Sequence, residues 1–94
     1  MRVYSIETLR KFWERHEDSE AQLKLWFNRT KKERWKNIFD VKKIYPSADS
    51  VKQWTIFNIK GNKYRLIVRI DYERSDVAIH EVLTHPEYDS RNYN

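Results

Sequence analysis

The chain has 94 residues, room for one hydrophobic core but not for two, so residues 1–94 are read as a single domain. It contains no cysteine, which excludes disulfide staples, Cys-based zinc sites and Cys nucleophiles. With 19 Lys and Arg against 14 Asp and Glu the formal net charge is +5, a balance that attracts polyanions or an acidic protein partner.

Val3-Tyr4 reads as a short strand. The leading Met1-Arg2-Val3-Tyr4-Ser5 runs straight into charged sequence, and no apolar run reaches signal-peptide or membrane-span length. A cytoplasmic protein with no membrane partner is expected. Ser5 is the expected N-cap of a first helix whose face carries Ile6, Leu9, Trp13 and His16, widened by Phe12. A second helix is expected from Asp18-Ser19, where Ser19 and Gln22 have capping-box spacing. Its apolar stripe is Leu23, Trp26, Phe27 and Thr30, with Leu25 beside it. Residues 29–43 are basic (Arg29, Lys31, Lys32, Arg34, Lys36, Lys42, Lys43) and interrupted by Trp35, Ile38 and Phe39. Asp40 is expected to cap a short helical turn through Val41 and Ile44 that Pro46 stops.

From Trp54 the apolar period changes to two. Trp54 to Lys60 and Lys63 to Tyr72 read as strands joined at Gly61-Asn62, a two-residue hairpin turn. After a turn over Glu73 to Asp76, Val77 to His85 reads as the last strand. The expected fold class is α+β: two N-terminal helices packed on a small antiparallel sheet.

The turn sets a register with Lys60 opposite Lys63, Ile59 opposite Tyr64, Asn58 opposite Arg65 and Phe57 opposite Leu66. One face then holds Phe57, Ile59, Tyr64, Leu66, Val68 and Ile70, and meets the helices. The other holds Asn58, Lys60, Lys63, Arg65 and Arg69 among Ile56 and Ile67. Cations opposite one another destabilise a sheet unless an anion lies over them, so this face is a candidate phosphate platform. A solvated basic face, or one neutralised by acids from another segment, is the competing reading. The chain closes with Thr84-His85-Pro86-Glu87-Tyr88-Asp89. Pro86 is expected to hold His85 extended at the strand end, where its ring, of the side-chain type suited to general acid–base work, reaches the basic face.

Phe57-Asn58-Ile59-Lys60-Gly61-Asn62-Lys63-Tyr64-Arg65-Leu66 and Thr84-His85-Pro86-Glu87-Tyr88-Asp89 resemble the HigB family of toxins, which is similar to the wider RelE group. Met1-Arg2-Val3, Thr8-Leu9, Phe12-Trp13-Glu14, Trp35-Lys36 and Tyr45-Pro46-Ser47-Ala48 look like the same family, so the resemblance spans nearly the whole chain. It implies the toxin of a type II toxin–antitoxin system: an endoribonuclease, or mRNA interferase, cutting mRNA on the ribosome and paired with a HigA-type antitoxin that carries a helix-turn-helix domain. It also implies that Lys60 and Arg65 match the family's central-strand basic residues, and that His85 and Tyr88 match the C-terminal ones. Lys63 matches less closely.

RNA supplies its own nucleophile, the ribose 2′-hydroxyl, so cleavage needs a base, charge stabilisation and a proton for the leaving oxygen, with no metal or cofactor required. His16, His80 and His85 show no metal-ligand spacing. Arg65 is the candidate phosphate ligand, Lys60 the charge stabiliser and His85 the general base or acid. Tyr88 would stack on a base or share the proton transfer. Asn58, Lys63 and Arg69, with Arg34 and Lys36 from the basic stretch, are candidate RNA-binding residues. Each has a structural alternative: His85 capping a turn, Tyr88 packing as core, Arg65 pairing with Asp71, Glu81 or Asp89. For His80 two registers stay open, and the one that places it on the basic face turns Glu81 toward the helices. A ParE-type gyrase-directed toxin and a non-catalytic RNA- or ribosome-binding module are the competing functions.

Overall fold

The computed structural model describes residues 1–93. In chain order it contains β1 (Arg2–Tyr4), α1 (Ile6–Arg15), a 3-10 turn (Glu17–Ser19), α2 (Glu20–Thr30), α3 (Ile38–Ile44), β2 (Asp49–Val51), β3 (Trp54–Ile59), β4 (Tyr64–Asp71), β5 (Asp76–Thr84) and α4 (His85–Ser90). Among the described residues the strands form one sheet in the order β1-β5-β4-β3-β2. The α+β class stands. The sheet is mixed rather than wholly antiparallel, because β1 runs parallel to β5. β1 pairs with the last strand rather than with a hairpin neighbour, and a connection passing through helices can return in either direction.

The hairpin register is the expected one: Phe57 faces Leu66, Asn58 faces Arg65 and Ile59 faces Tyr64. Lys60 and Lys63 belong to the turn itself, where Lys63 N–H donates to the Lys60 carbonyl at 3.2 Å. Both Lys60 and Gly61 have positive φ, 57° and 65°. That conformation is free for glycine and costly for lysine, so the strain falls on one of the residues singled out for chemistry.

Alternation then sorts the sheet. On the first face Phe57, Ile59, Tyr64, Leu66, Val68, Val77, Ile79 and Val82 join Leu9, Phe12, Leu23, Trp26, Trp35 and Val41 from α1 to α3 in one core. Phe57 is fully buried at its centre, with Trp26 edge-on at 5.4 Å, Tyr45 edge-on at 5.1 Å and Trp35 stacked at 6.3 Å. On the second face Ile56, Ile67, Leu83 and Tyr93 form a smaller cluster that Val51, Trp54 and Tyr88 overlie.

Helix starts follow other chemistry than expected. Ser5 precedes α1 in the left-handed region (φ 67°) and its side chain caps nothing. Ser19 is buried and its hydroxyl donates back to the His16 carbonyl at 2.7 Å, so there is no Ser19–Gln22 capping box. Asn37, not Asp40, caps α3: its side chain accepts from Asp40 N–H at 3.2 Å, while the Asp40 carboxylate accepts from Lys36 N–H at 2.9 Å. For Ser19 a backbone carbonyl and for Asp40 a backbone N–H competes for the short polar side chain.

The strand expected to end at His85 ends at Thr84. Thr84 and Glu87 form a capping box, with Glu87 N–H to Thr84 Oγ1 at 3.3 Å and Thr84 N–H to Glu87 Oε1 at 2.9 Å. Pro86 therefore sits in the first turn of α4, where its missing N–H costs nothing, and His85 is helical rather than extended. Truncating Phe57 to Ala should destabilise the fold by about 3–5 kcal/mol, measured by urea unfolding, because the rings around it cannot collapse into the cavity.

Candidate active site

Two anchors bring the C-terminal residues to the hairpin. Tyr64 pairs with Thr84, so β5 ends beside the β3–β4 turn. The His85 backbone N–H then donates to the Lys63 carbonyl at 3.0 Å and ties the first residue of α4 to that turn. On α4, His85, Tyr88 and Asp89 stand at i, i+3 and i+4, on one side of the helix.

His85 Nδ1 lies 2.9 Å from Asp89 Oδ2. A carboxylate at that distance favours the tautomer with the proton on Nδ1 and leaves Nε2 as the free nitrogen. Tyr88 lies against Arg65, whose guanidinium carbon is 5.4 Å from the ring centroid. Arg65 makes no ion pair with Asp71, Glu81 or Asp89. Its Nη1 donates to the Asn62 carbonyl at 3.0 Å and to the Tyr64 carbonyl at 3.3 Å, and Nη2 donates to Asn62 Oδ1 at 2.7 Å. Three of the five guanidinium N–H groups are engaged, which leaves two for an anion.

Lys63 leaves the platform expected of it. It turns to the first face and pairs with Asp18, which also accepts from Tyr64 Oη at 2.5 Å. These bonds hold the Asp18 carboxyl below its ordinary value of 3.8, the Lys63 bond most, and the Lys60 ammonium acts in the same direction. Lys60 makes no ion pair among the described residues. Lys60 and Arg65 thus have no carboxylate partner among the described residues, and of the two Arg65 lies against Tyr88.

The other candidates lie elsewhere. Asn58, exposed, is opposite Arg65 on the second face. Arg69 shares that face but sits four residues along β4, about 13 Å away. Arg34 and Lys36 line a groove of about 770 Å³ with Met1, Arg2, Lys31, Tyr72 and Ser75, at the β4–β5 turn. The length of β4, about 26 Å, separates that groove from the hairpin tip. Among the described residues no three His, Asp or Glu side chains converge as a metal-binding group. None of the helices there is long and apolar enough to cross a membrane.

The model of HigB_toxin, a RelE-like toxic component of a toxin–antitoxin system, matches residues 19–91. The chain belongs to the HigB toxin family. The mRNA interferase toxin HigB of Escherichia coli (strain K12) is 28% identical over 92 residues, which cover 95% of this chain and 88% of that protein. The mRNA interferases HigB of Escherichia coli O157:H7 and of Shigella flexneri match to the same extent. Membership in this family implies a cognate antitoxin as partner.

Sequence reasoning missed three residues around the site. Asp89 was weighed only as a partner for Arg65, although its i, i+4 spacing from His85 is legible once 85–90 is read as a helix. Asp18 carried no signal, since its partners are more than forty residues away. Tyr93, on the second face, stacks on Tyr88 with centroids 5.9 Å apart and an interplanar angle of 9°. Its hydroxyl donates to Glu81.

The depressed Asp18 pKa makes a prediction about acid stability. The stabilisation from its bonds is complete above pH 3.8, the ordinary value, and is lost as pH falls through the lower folded value. Asp18→Asn should be less stable than the parent at neutral pH, and the difference should shrink below pH 3.8 in urea-unfolding curves recorded across pH.

Proposed function

We propose that this HigB-family protein is an mRNA interferase that cleaves at the corner formed by the hairpin tip and α4. The observation that carries the reading is the convergence of a carboxylate-oriented histidine and a tyrosine-backed arginine on one turn. The names of the relatives, mRNA interferases matching along 95% of the chain, support it.

In this mechanism Arg65 holds the scissile phosphate with its two free N–H groups. Its guanidinium is fixed beforehand by Asn62 and Tyr88, so little order is lost on binding. His85 Nε2 takes the proton from the ribose 2′-hydroxyl, and Asp89 stabilises the imidazolium that results. The 2′-oxygen bonds to phosphorus while the bond to the 5′-oxygen breaks, and the added charge on the phosphoryl oxygens is met by Lys60 and Arg65. Tyr88 stacks on a neighbouring base or delivers the proton that the 5′-oxygen needs on leaving. The products are a 2′,3′-cyclic phosphate and a 5′-hydroxyl, and no step requires a metal.

The corner is shallow and open, which favours RNA presented by a larger body, the ribosome. The basic groove with Arg34 and Lys36 is a suitable contact for ribosomal RNA. The antitoxin is of HigA type with a helix-turn-helix domain, and toxin and target meet in the cytoplasm.

Replacing His85 with Ala should lower kcat by about 10²–10⁴, the usual contribution of a positioned acid or base, without loss of antitoxin binding. Arg65→Lys, which keeps the charge and loses the fork, should impair cleavage as well. The measurement is mapping of transcript 5′ ends after expression in cells. New ends inside coding regions with the parent chain and none with His85→Ala are expected. An SOS response with no new ends would instead identify a gyrase-directed toxin.

A further inference from the structure

The second face carries a feature that cleavage at the hairpin tip leaves unused. In β5, Glu81 is paired with Ile67 and Ile79 with Val68, so His80 is the extra residue of a β-bulge. A bulge turns consecutive side chains to one side and here re-aims both His80 and Glu81 onto the second face. The His80 ring stacks on Trp54 with centroids 4.4 Å apart and 27° between planes, and its side chain is 47% exposed. Trp54 meets Tyr93 edge-on at 6.1 Å, Tyr93 stacks on Tyr88, and Tyr88 backs Arg65. Rings therefore run from Arg65 to an exposed His80 stacked on a half-buried Trp54.

Cations accompany the far end of this track. Lys52 and Arg69 line a groove of about 370 Å³ beside Trp54. Neither makes an ion pair among the described residues. The one carboxylate in the track, Glu81, is engaged by the Tyr93 hydroxyl, by Arg91 at 3.9 Å and by His80 at 3.8 Å.

We propose that Trp54 and His80, flanked by Lys52 and Arg69, form a second subsite that stacks a base of the single-stranded RNA substrate away from the cleaved link. The inference rests on the nuclease reading and adds the path of the substrate. Flat rings for bases with unpaired cations beside them for phosphates are what single-stranded RNA needs, and the cation groove reaches from Trp54 round to Asn37 and Ile38 at the edge of the sheet. Arg69 lies about 13 Å from Arg65 along β4, more than one stacked nucleotide away, so the same strand reaches both. An acidic peptide would meet the cations but has no use for the exposed stacked pair.

The test separates binding from cleavage. In a His85→Ala background, a single-stranded RNA oligonucleotide is titrated at low salt and Kd is measured with and without His80→Ala. Loss of the ring should weaken binding at least about five-fold, the low end of what a base–aromatic stack contributes. His80→Phe, which keeps a stacked ring, should restore it. In the His85-containing chain, His80→Ala should raise KM and leave kcat within two-fold, about the assay's resolution. Unchanged Kd and KM, or a defect confined to antitoxin binding, would overturn the subsite. Intact transcripts from the parent chain would instead count against the nuclease reading, whatever the oligonucleotide Kd.

Discussion

The pairing of β3 with β4 is the constraint on which the rest of the molecule depends. A slip of one residue would turn over either β4, bringing Arg65 and Arg69 against the helices and exposing Leu66, or β3, exposing Phe57 to water. Burial of Phe57 among three aromatic neighbours makes that slip costly, since each large ring buries roughly 150–250 Å². The hydrophobic face thereby fixes where the cations stand. It also fixes where β5 ends, because Thr84 is held opposite Tyr64, and hence where α4 begins.

With the register set, local chemistry builds the corner. The Thr84–Glu87 capping box starts α4 at the turn, and the bond from His85 N–H to the Lys63 carbonyl satisfies a donor that the helix itself leaves unpaired. Of three neighbouring cations, Asp18 removes Lys63 from the reactive side and at the same time ties the hairpin tip to the start of α2. Without that pairing, Lys60, Lys63 and Arg65 would repel one another at a turn where Lys60 already holds a positive φ. One ion pair thus relieves a destabilising cluster and leaves two cations for an anion.

How much of this was legible in the sequence depends on the range of the interaction. The period-two pattern and the Gly61-Asn62 turn give the register from Phe57 to Ile59, and the faces of the paired residues, because neighbours in sequence determine them; Lys60 and Lys63 fall in the turn, where that rule stops. Trp35, which interrupts the basic stretch, belongs to the core, its ring stacking on Phe57. The caps differ from the expectation because the folded backbone brings another partner to the side chain, the His16 carbonyl to Ser19 and the Lys36 N–H to Asp40. Pro86 differs for a related reason: a proline stops a strand and begins a helix equally well, and the Thr84–Glu87 capping-box spacing decides between them. The choice posed for His80 and Glu81 had a third answer. Strict alternation sends one of them to the helices, but the bulge spares either from it, and a bulge leaves no mark in the alternation of so short a segment.

Geometry also bears on how such a small protein could act selectively. The His85 side chain is 40% exposed and the Asp89 side chain 62%, so the corner has no walls to exclude water or to grip a base from both sides. An enclosed pocket aligns its substrate itself, whereas an open corner takes alignment from contacts farther along the substrate or from whatever holds the substrate in place. The aromatic track on the second face would supply the first kind of contact. The basic groove at the opposite end of β4, too distant to touch the same few nucleotides, is suited to the second. On the nuclease reading, a net charge of +5 spread over both ends of the sheet is then a division of labour, with binding distributed over the surface and the chemistry confined to one turn.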